Sequence, residues 1–501
     1  MKTMKKIRNY DNFNRIVIFV VEAVCMILEL CSSYLLYPYF GNSNTIWTAI
    51  ITVILLSNCM GNLLGGKIHE KAQRNQTNYT SLIFFCIALC ISLILGLNES
   101  VIYLVRKFLP FSNNVNAFIC SFALFMPCEL LLGTIPPQIM YHESEKDGYN
   151  ASKTGIVYAL STMGGLFGTV LSGFVLIPLM GCKNIIIICV AVTLVLAIIF
   201  DTHFWKKTKS VICLLISVGI SFTMLTYKEP FDWEKEDYGN LKVDSQYNRI
   251  IVQNGFIVND KVRNMIMASG YESATYLALE KRNELIFDYL KKLDETVYQN
   301  ENIKSDTSLM IGGAAYQYPK YLLSHYENKK MDVVEIDEVV TELAKEYFFL
   351  QDCIDKYDPN GERLKLINDD GRVFLEKAGK YDVIFNDAFA GDSPVSTLCT
   401  KEFIQTVKSK LNSGGVYAMN IISTRTGDDE RFLCAECNTL SQVFVNVYIL
   451  PCEEVNPQAR QNFIVIATDK KLDFPNELDI DFSKGLVLTD DYSPVEYLYR
   501  K

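Results

Sequence analysis

Residues 307–337 read T-S-L-M-I-G-G-A-A-Y-Q-Y-P-K-Y-L-L-S-H-Y-E-N-K-K-M-D-V-V-E-I-D. Residues 309–311 are a short apolar run of strand type. Gly312 and Gly313 follow, where a tight turn needs permissive backbone and close approach to a ligand. Tyr318, Tyr321, Leu322 and Tyr326 then fall near one face of a helix. Residues 331–336 form a second apolar run that ends in acids. Strand, glycine turn, helix, strand, acid is the opening unit of a nucleoside-binding doubly wound sheet. The acid at the second strand's tip is placed to accept hydrogen bonds from ribose hydroxyls. Glu335 is the first candidate and Asp337 the second. Gly312-Gly313-Ala314 departs from G-x-G-x-x-G, so the motif needs support from the rest of the chain.

The chain has 501 residues, too many for one ordinary core. Its composition is split. Residues 16–226 are dominated by long apolar runs, and the remainder has the make-up of an α/β domain. The expected division is 1–227 as a membrane domain, 228–300 as linker, β-hairpin and helix, and 301–501 as the nucleoside-binding domain. A net charge of −9 gives no sign of nucleic-acid binding. Ten of the fifteen cysteines lie at or before Cys213, mostly inside apolar runs, as buried small residues rather than a disulfide framework. Cys434-Ala435-Glu436-Cys437 is a lone C-x-x-C. Zinc would need two further ligands, so no metal site is assigned.

The basic stretch from Lys2 to Arg15 precedes an apolar run that is too long, with too many successors, for a cleaved signal peptide. Seven spans are expected, at 15–38, 45–65, 80–97, 116–140, 154–180, 184–200 and 209–226, with the third and sixth short. Glu22 and Glu29 project from one face of the first, and Glu129 lies in the fourth. A carboxylate at membrane depth is usually paired or lines a cavity. It therefore marks either a substrate or proton site, or a structural contact, with Ser32 and Ser33 as candidate partners. Gly61, Gly65, Gly66, Gly164, Gly165, Gly168 and Gly173 stand at close-packing spacings. Lys and Arg gather in alternate loops, which the charge rule places in the cytoplasm. Seven spans would then put the soluble half outside, whereas a nucleoside substrate argues for the cytoplasmic face. The expectation is a multi-pass cell-membrane protein with its soluble domain in the cytoplasm.

In the soluble half, 240–268 alternates like β-hairpins, with strands at 249–253 and 256–258 about a turn at Asn254-Gly255. Residues 272–292 read as helix, as do 339–350 and 401–411. Strands are expected at 364–367, 381–385, 416–422, 443–450 and 463–467. Alternating strands and helices make a mostly parallel sheet, whose ligands bind at the carboxyl ends of the strands. Three strand ends carry acids: Glu335, Asp369 with Asp370, and Asp387. Each alone reads as a helix cap or turn residue. Together they make a binding crevice.

In this order, Ser245-Gln246-Tyr247, I-G-G at 311–313, V-V-E-I-D at 333–337, D-D-G-R at 369–372 and the Y-D-V-I strand leading to Asp387 resemble the spermidine synthase (aminopropyltransferase) family. The likeness covers residues 244–420. The L-L-Y-P-Y-F-G stretch at 35–41, the glycine-rich fifth span and T-D-D-Y-S-P-V-E at 489–496 resemble its membrane-fused branch. The resemblance implies an α-helical multi-span domain, a small β-hairpin region and a Rossmann-like domain of class I methyltransferase type. It also implies that Gln246 helps hold the nucleoside, Gly312 and Gly313 line the nucleotide turn, and Glu335 holds the ribose. Asp369, Asp370 and Gly371 would meet the adenine edge, and Asp387 would be the acid–base residue. Tyr316, a candidate catalytic residue, and Tyr318, both beside the turn, would either wall the pocket or sit against the sulfonium as cation–π partners, or pack against the membrane domain.

The chain departs from the polyamine-making pattern at two places. Ala315 replaces the aspartate of G-G-G-D-G, and Ala390 replaces the second acid of D-x-x-D-P, with Asp392 two residues further on. Losing two carboxylates removes charge-assisted contacts of roughly 1.5–3 kcal/mol each. The sequence-based expectation is therefore an enzyme that cleaves S-adenosylmethionine, or its decarboxylated form, with release of methylthioadenosine. No prosthetic group is required. Its leading form is a lyase giving homoserine lactone, because a folded substrate arm can attack intramolecularly. The alternatives are an aminopropyltransferase making spermidine or a related polyamine, a methyltransferase, and a transporter regulated by its nucleoside-binding domain. The expected partners are a small-molecule substrate and the lipid bilayer, with homo-oligomerisation open.

Overall fold

An apolar run in lipid must satisfy its backbone N–H and C=O groups within itself, which makes it a helix. In the computed structural model of this chain, six helices among the described residues are long and apolar enough to cross a membrane: Phe13–Tyr37, Ile46–Arg74, Thr80–Phe108, Asn114–Tyr141, Thr154–Leu176 and Leu179–Phe200. The structure describes residues 2–498 apart from 41–43, 75–78, 110, 112, 148–150, 202, 227–239, 246, 248, 268–270, 391–392, 427–429 and 454–455. The expected seventh span is a shorter apolar helix, Thr208–Met224, so among the described residues six helices rather than seven have the length and composition of a full span. The third and sixth, expected to be short, are 29 and 22 residues. Helical bonding in the third outruns the hydropathy window, and Leu109 N still donates to Val105 O at 3.0 Å.

The chain divides into a unit of Met1–Pro230 with Val243–Arg249 and a unit of Phe231–Lys242 with Ile250–Lys501. In the first, glycines let helix backbones meet. A Cβ on Gly164 or Gly168 would stand 2.3 or 2.4 Å from the carbonyl oxygens of Phe19 and Ala23. One on Gly61 or Gly65 would stand 2.3 or 2.5 Å from those of Leu130 and Thr134. These two small-xxx-small seams join the first span to the fifth and the second to the fourth. Glu129 is buried and accepts from the Cys25 thiol at 2.9 Å. Ser32 and Ser33 are not its partners: their hydroxyls donate to the Glu29 and Leu30 carbonyls.

Four antiparallel strands open the soluble part in the order β1 (Asn240–Asp244), β2 (Arg249–Ile257), β3 (Asp260–Met267) and β4 (Tyr271–Tyr276). Two expectations fail here. β2 runs straight through Asn254-Gly255, because Gly255 pairs with Val262 and the Asn254 side chain accepts from Arg263 Nε at 3.1 Å. The turn falls instead at Val258-Asn259, with Val258 at φ 56°. The helix expected over 272–292 is β4, a 3-10 turn at Leu279–Lys281 and a short helix, Asp288–Leu293. Pairing with β3 overrides local propensity, and Ala274 and Thr275 are fully buried.

A seven-stranded sheet follows, built from β5 (Thr307–Ile311), β6 (Lys330–Glu335), β7 (Leu364–Asn368), β8 (Tyr381–Asn386), β11 (Leu411–Ser423), β12 (Asn446–Pro451) and β13 (Gln461–Thr468). The two-residue strands β9 (Phe389–Ala390) and β10 (Ser393–Pro394) pair separately after β8. The large sheet runs β12-β13-β11-β8-β5-β6-β7. Its pairings are parallel from β11 to β7, and β13 is antiparallel to both neighbours. The architecture is the expected Rossmann-like, methyltransferase-type α/β fold. Alternate strand residues feed two cores. Leu309, Ile311 and Ile384 pack with helices Lys401–Ser409 and Glu430–Ser441, whereas Met310, Val333 and Phe385 pack with the helices at 317–325 and 338–357. Burial on both faces explains why these strands read as continuous apolar runs. The helix expected over 339–350 is two helices, Glu338–Tyr347 and Leu350–Tyr357, broken where Phe349 turns left-handed at φ 61°.

The seams give a direct test. In Gly168→Ala the new Cβ meets backbone that cannot swing away, and the detergent-solubilised protein should lose ~1–3 kcal/mol of stability. Gly155→Ala, where a Cβ meets nothing within 4 Å, should leave the melting temperature unchanged or raise it slightly.

Candidate active site

β5 ends in a turn that bends the backbone sharply. Gly312, Ala314 and Tyr316 all have positive φ, at 93°, 44° and 53°. Only the first is cheap for its residue type; the other two are held by their surroundings. The Ala315 amide donates to Ser273 Oγ at 3.2 Å, and Gln317 Nε2 donates to the Ala274 carbonyl at 2.9 Å. β4 therefore clasps the turn, a role that no motif in its sequence announced.

Three other strand tips converge on this turn. From β6, Glu335 Oε2 accepts from the Gly313 amide at 2.7 Å and from the Ala314 amide at 3.4 Å. Its Oε1 accepts from the Asp337 amide at 3.0 Å. A carboxylate has about four lone-pair sites, so capacity remains for a ligand hydroxyl. Burial, opposed by these amides, pushes the Glu335 pKa upward. From β7, Gly371 packs so closely on β5 that a Cβ would stand 2.5 Å from Ile311 Cγ2. From β8, the Asp387 amide donates to Ile311 O at 2.9 Å, and a Cβ on Gly312 would stand 2.8 Å from the Asp387 carbonyl oxygen. The tips of β6, β7 and β8 are thus all gathered at the end of β5.

The remaining expected residues have the following places. Asp337 caps helix Glu338–Tyr347, accepting from the Val339 amide at 3.1 Å. Asp370 Oδ1 caps helix Gly371–Lys377 through the Arg372 and Val373 amides at 2.8 and 3.1 Å. Asp369 pairs at the surface with Lys377 at 2.9 Å, which holds its carboxyl below the usual range. Gln246 and Asp392 lie outside the described residues. Tyr316 and Tyr318 do not wall an open pocket. Both rings are fully buried in the core, with the Tyr316 hydroxyl 2.7 Å from Thr341 Oγ1 and the Tyr318 hydroxyl donating to Asp294 at 2.9 Å. The Tyr316 ring instead lies under the turn, where a Cβ on Gly313 would meet its Cζ at 2.5 Å.

Asp387 is the chemically distinctive group. Its Oδ2 accepts from the Tyr289 hydroxyl at 3.0 Å and its Oδ1 from Asn420 Nδ2 at 2.9 Å. Burial pushes its carboxyl up to about 7, against the downward pull of the Asn420 and Tyr289 donors. Burial also holds the Tyr289 hydroxyl well above its ordinary value, so it stays a neutral donor. A carboxyl poised near neutrality can take or give a proton there. Tyr289 and Asn420 were missed from sequence because they reach Asp387 from segments 98 and 33 residues away.

The chain is similar to known proteins over the region that holds this site. Residues 297–478 match the spermine/spermidine synthase domain. The chain is similar to the polyamine aminopropyltransferase of Vibrio vulnificus, at 35% identity over 127 residues, 25% of this chain and 40% of that protein. It is similar to the polyamine aminopropyltransferase of Oceanobacillus iheyensis at 24% identity over 462 residues, 89% of this chain and 83% of that protein. A crystal structure of spermidine synthase from Thermotoga maritima aligns with a TM-score of 0.36 and 22% identity, over 46% of this chain and 72% of that one. Over residues 297–478 the chain carries a spermine/spermidine synthase domain, and long apolar helices precede it. The matched segments span 40%, 40% and 33% of the relatives from Vibrio vulnificus, Pseudomonas aeruginosa and Bifidobacterium longum.

The raised Asp387 pKa has a stability consequence whose sign can be checked. The folded state favours the neutral carboxyl, so stability is fully present below the unfolded value of about 3.9 and is lost as pH rises through the folded value of about 7. The melting temperature of Asp387→Asn relative to the parent should therefore be higher at pH 8 than at pH 5. An equal difference at both would show that Asp387 titrates normally.

Proposed function

We propose that this chain is a membrane-integrated aminopropyltransferase that uses decarboxylated S-adenosylmethionine and an amine acceptor. The observation that carries the reading is Asp387, a carboxyl poised near neutrality at the tip of β8 against the glycine turn of β5, with Glu335 at the tip of β6 on the other side of β5. In this reading Glu335 holds the ribose. Asp370, with one oxygen on its own helix, and Gly371 meet the adenine edge, and Gly312 and Gly313 let the nucleoside approach the backbone. The acceptor nitrogen attacks the aminopropyl carbon bound to sulfur. The carbon–sulfur bond breaks with its electron pair going to sulfur, methylthioadenosine leaves, and the Asp387 carboxylate takes a proton from the new ammonium. The acid must be ionised to do this, so the rate should rise with pH through about 7. The relatives support amine transfer over the lyase reading that led from sequence.

A second reading keeps one observation in its favour. Ala315 and Ala390 stand where the family pattern has acids that grip an aminopropyl ammonium and a polyamine. With those contacts gone, S-adenosylmethionine itself could be cleaved by its own carboxylate. The same reading places residues 1–227 in the membrane and 301–501 as the catalytic domain, with 228–300 between them. We count six crossings, with the shorter Thr208–Met224 helix not among them; an even number returns the chain to the side on which it starts, which the charge rule makes the cytoplasm.

The test is a product assay on the purified full chain with each sulfonium, with and without putrescine. Methylthioadenosine and spermidine from the decarboxylated form plus putrescine are expected, falling at least a hundredfold in Asp387→Ala, about the worth of a general base. Homoserine lactone from S-adenosylmethionine alone would favour the lyase. Absence of methylthioadenosine in every tube would overturn both.

A further inference from the structure

Beyond the residues that meet Asp387 there is one more link. Asn462, on the antiparallel strand β13, donates from Nδ2 to Asn420 Oδ1 at 2.9 Å. Asn420 in turn donates to Asp387 Oδ1 at 2.9 Å. The register allows it: Asn420 sits opposite Ile464 and Asn462 opposite Ile422, so the two amides are diagonal neighbours on one face of the sheet. Asn420 is buried, which leaves its amide few other partners.

A side-chain amide has one donor end and one acceptor end. A carboxylate only accepts, so an ionised Asp387 requires the donor end of Asn420. The acceptor end must then face Asn462, which must itself donate. The three groups form a chain in which the orientation of the far amide and the charge of the near acid fix one another. The other groups facing Asp387, among the described residues, are few. Helix Asp288–Leu293 supplies Tyr289, beside which Cys452 lies. The glycine turn supplies backbone only. Asn386, the preceding residue, is turned away to the Tyr417 hydroxyl at 3.1 Å.

We propose that Asn462 is a positioning residue: by holding the acceptor end of Asn420, it keeps an amide donor aimed at Asp387 and so maintains the ionised base. This rests on the reading of Asp387 as the base, and it deepens that reading by adding a residue that touches no substrate. It predicts an inversion. An ionised aspartate at 462 cannot donate, so Asn420 would turn its Nδ2 toward it and present Oδ1 to Asp387. Asp387 would then keep its proton to higher pH.

The experiment reads Asp387 itself rather than turnover. Infrared difference spectra are recorded against pH on the purified full chain labelled with 13C-aspartate, with Asp387→Asn as the blank. In Asn462→Asp the Asp387 midpoint should move up by about one pH unit, the size of one charge-assisted hydrogen bond. In the Asn420→Ala background the same change should move it far less, because the link is gone. The isosteric, uncharged Asn462→Leu should give a smaller upward shift, and it serves as the readout if Asn462→Asp does not fold. An unmoved midpoint in both Asn462 variants overturns the proposal, as does an equal Asn462→Asp shift with and without Asn420, which would mean charge acting through space. If wild type releases no methylthioadenosine while the midpoints move as expected, the functional reading fails and the relay stands.

Discussion

The site depends on how few atoms the end of β5 presents. Gly312 has no side chain, and its place is closed by the Asp387 carbonyl, 2.8 Å from where a Cβ would stand. Gly313 is closed on its other side by the Tyr316 ring and offers its amide to Glu335. Gly371 rests on Ile311. The tips of β7 and β8 approach the end of β5 this closely because the backbone there is bare. A Cβ on Gly312 would meet the Asp387 backbone, and one on Gly371 the Ile311 side chain. Ala314 and Tyr316 pay for the geometry with positive φ, which the clasp from Ser273 and Ala274 sustains.

Within that frame the acids divide their work. Asp337 and Asp369 serve structure, one as a helix cap and the other in a surface ion pair. Asp370 gives one oxygen to its own helix. Glu335 ties two loops together through three amides. Glu335 and Asp387 both set desolvation against donors that only partly offset it, and in Asp387 the balance carries the carboxyl to about 7. That balance separates a structural carboxylate from one able to exchange a proton near neutral pH. The donors to Asp387 come from two distant parts of the chain, the short helix at 288–293 and β11.

How much of this was legible in the sequence follows the range of the interactions. The β5 turn, the acid-tipped strands and their order were readable because each is written in consecutive residues. Asn254-Gly255 misled because a strong local turn signal sits in the middle of a paired strand. Residues 272–292 misled because the edge of β3 decides their fate. Lys320 looks like an ordinary surface lysine on a helix, yet it is fully buried, with its ammonium bonded to Thr275, Phe348 and Arg282. Burial lowers its pKa to about 7. Tyr289, Asn420 and Asn462 carry no motif at all, since their meaning lies in which strands are neighbours. In the N-terminal helical unit, Gly61 with Gly65 and Gly164 with Gly168 were legible as close-packing pairs because a spacing of four puts each pair on one helix face, and the seams form at these pairs.

The proposed activity requires the β5 end to receive an adenosyl sulfonium, with Glu335 gripping its ribose. Titration calorimetry of the full chain with decarboxylated S-adenosylmethionine, and with S-adenosylmethionine, tests that most directly. Saturable uptake of at least one is expected, weakened about tenfold or more in Glu335→Ala, as for one lost charge-assisted contact. No uptake of either, or uptake by Glu335→Ala equal to the parent's, would contradict it.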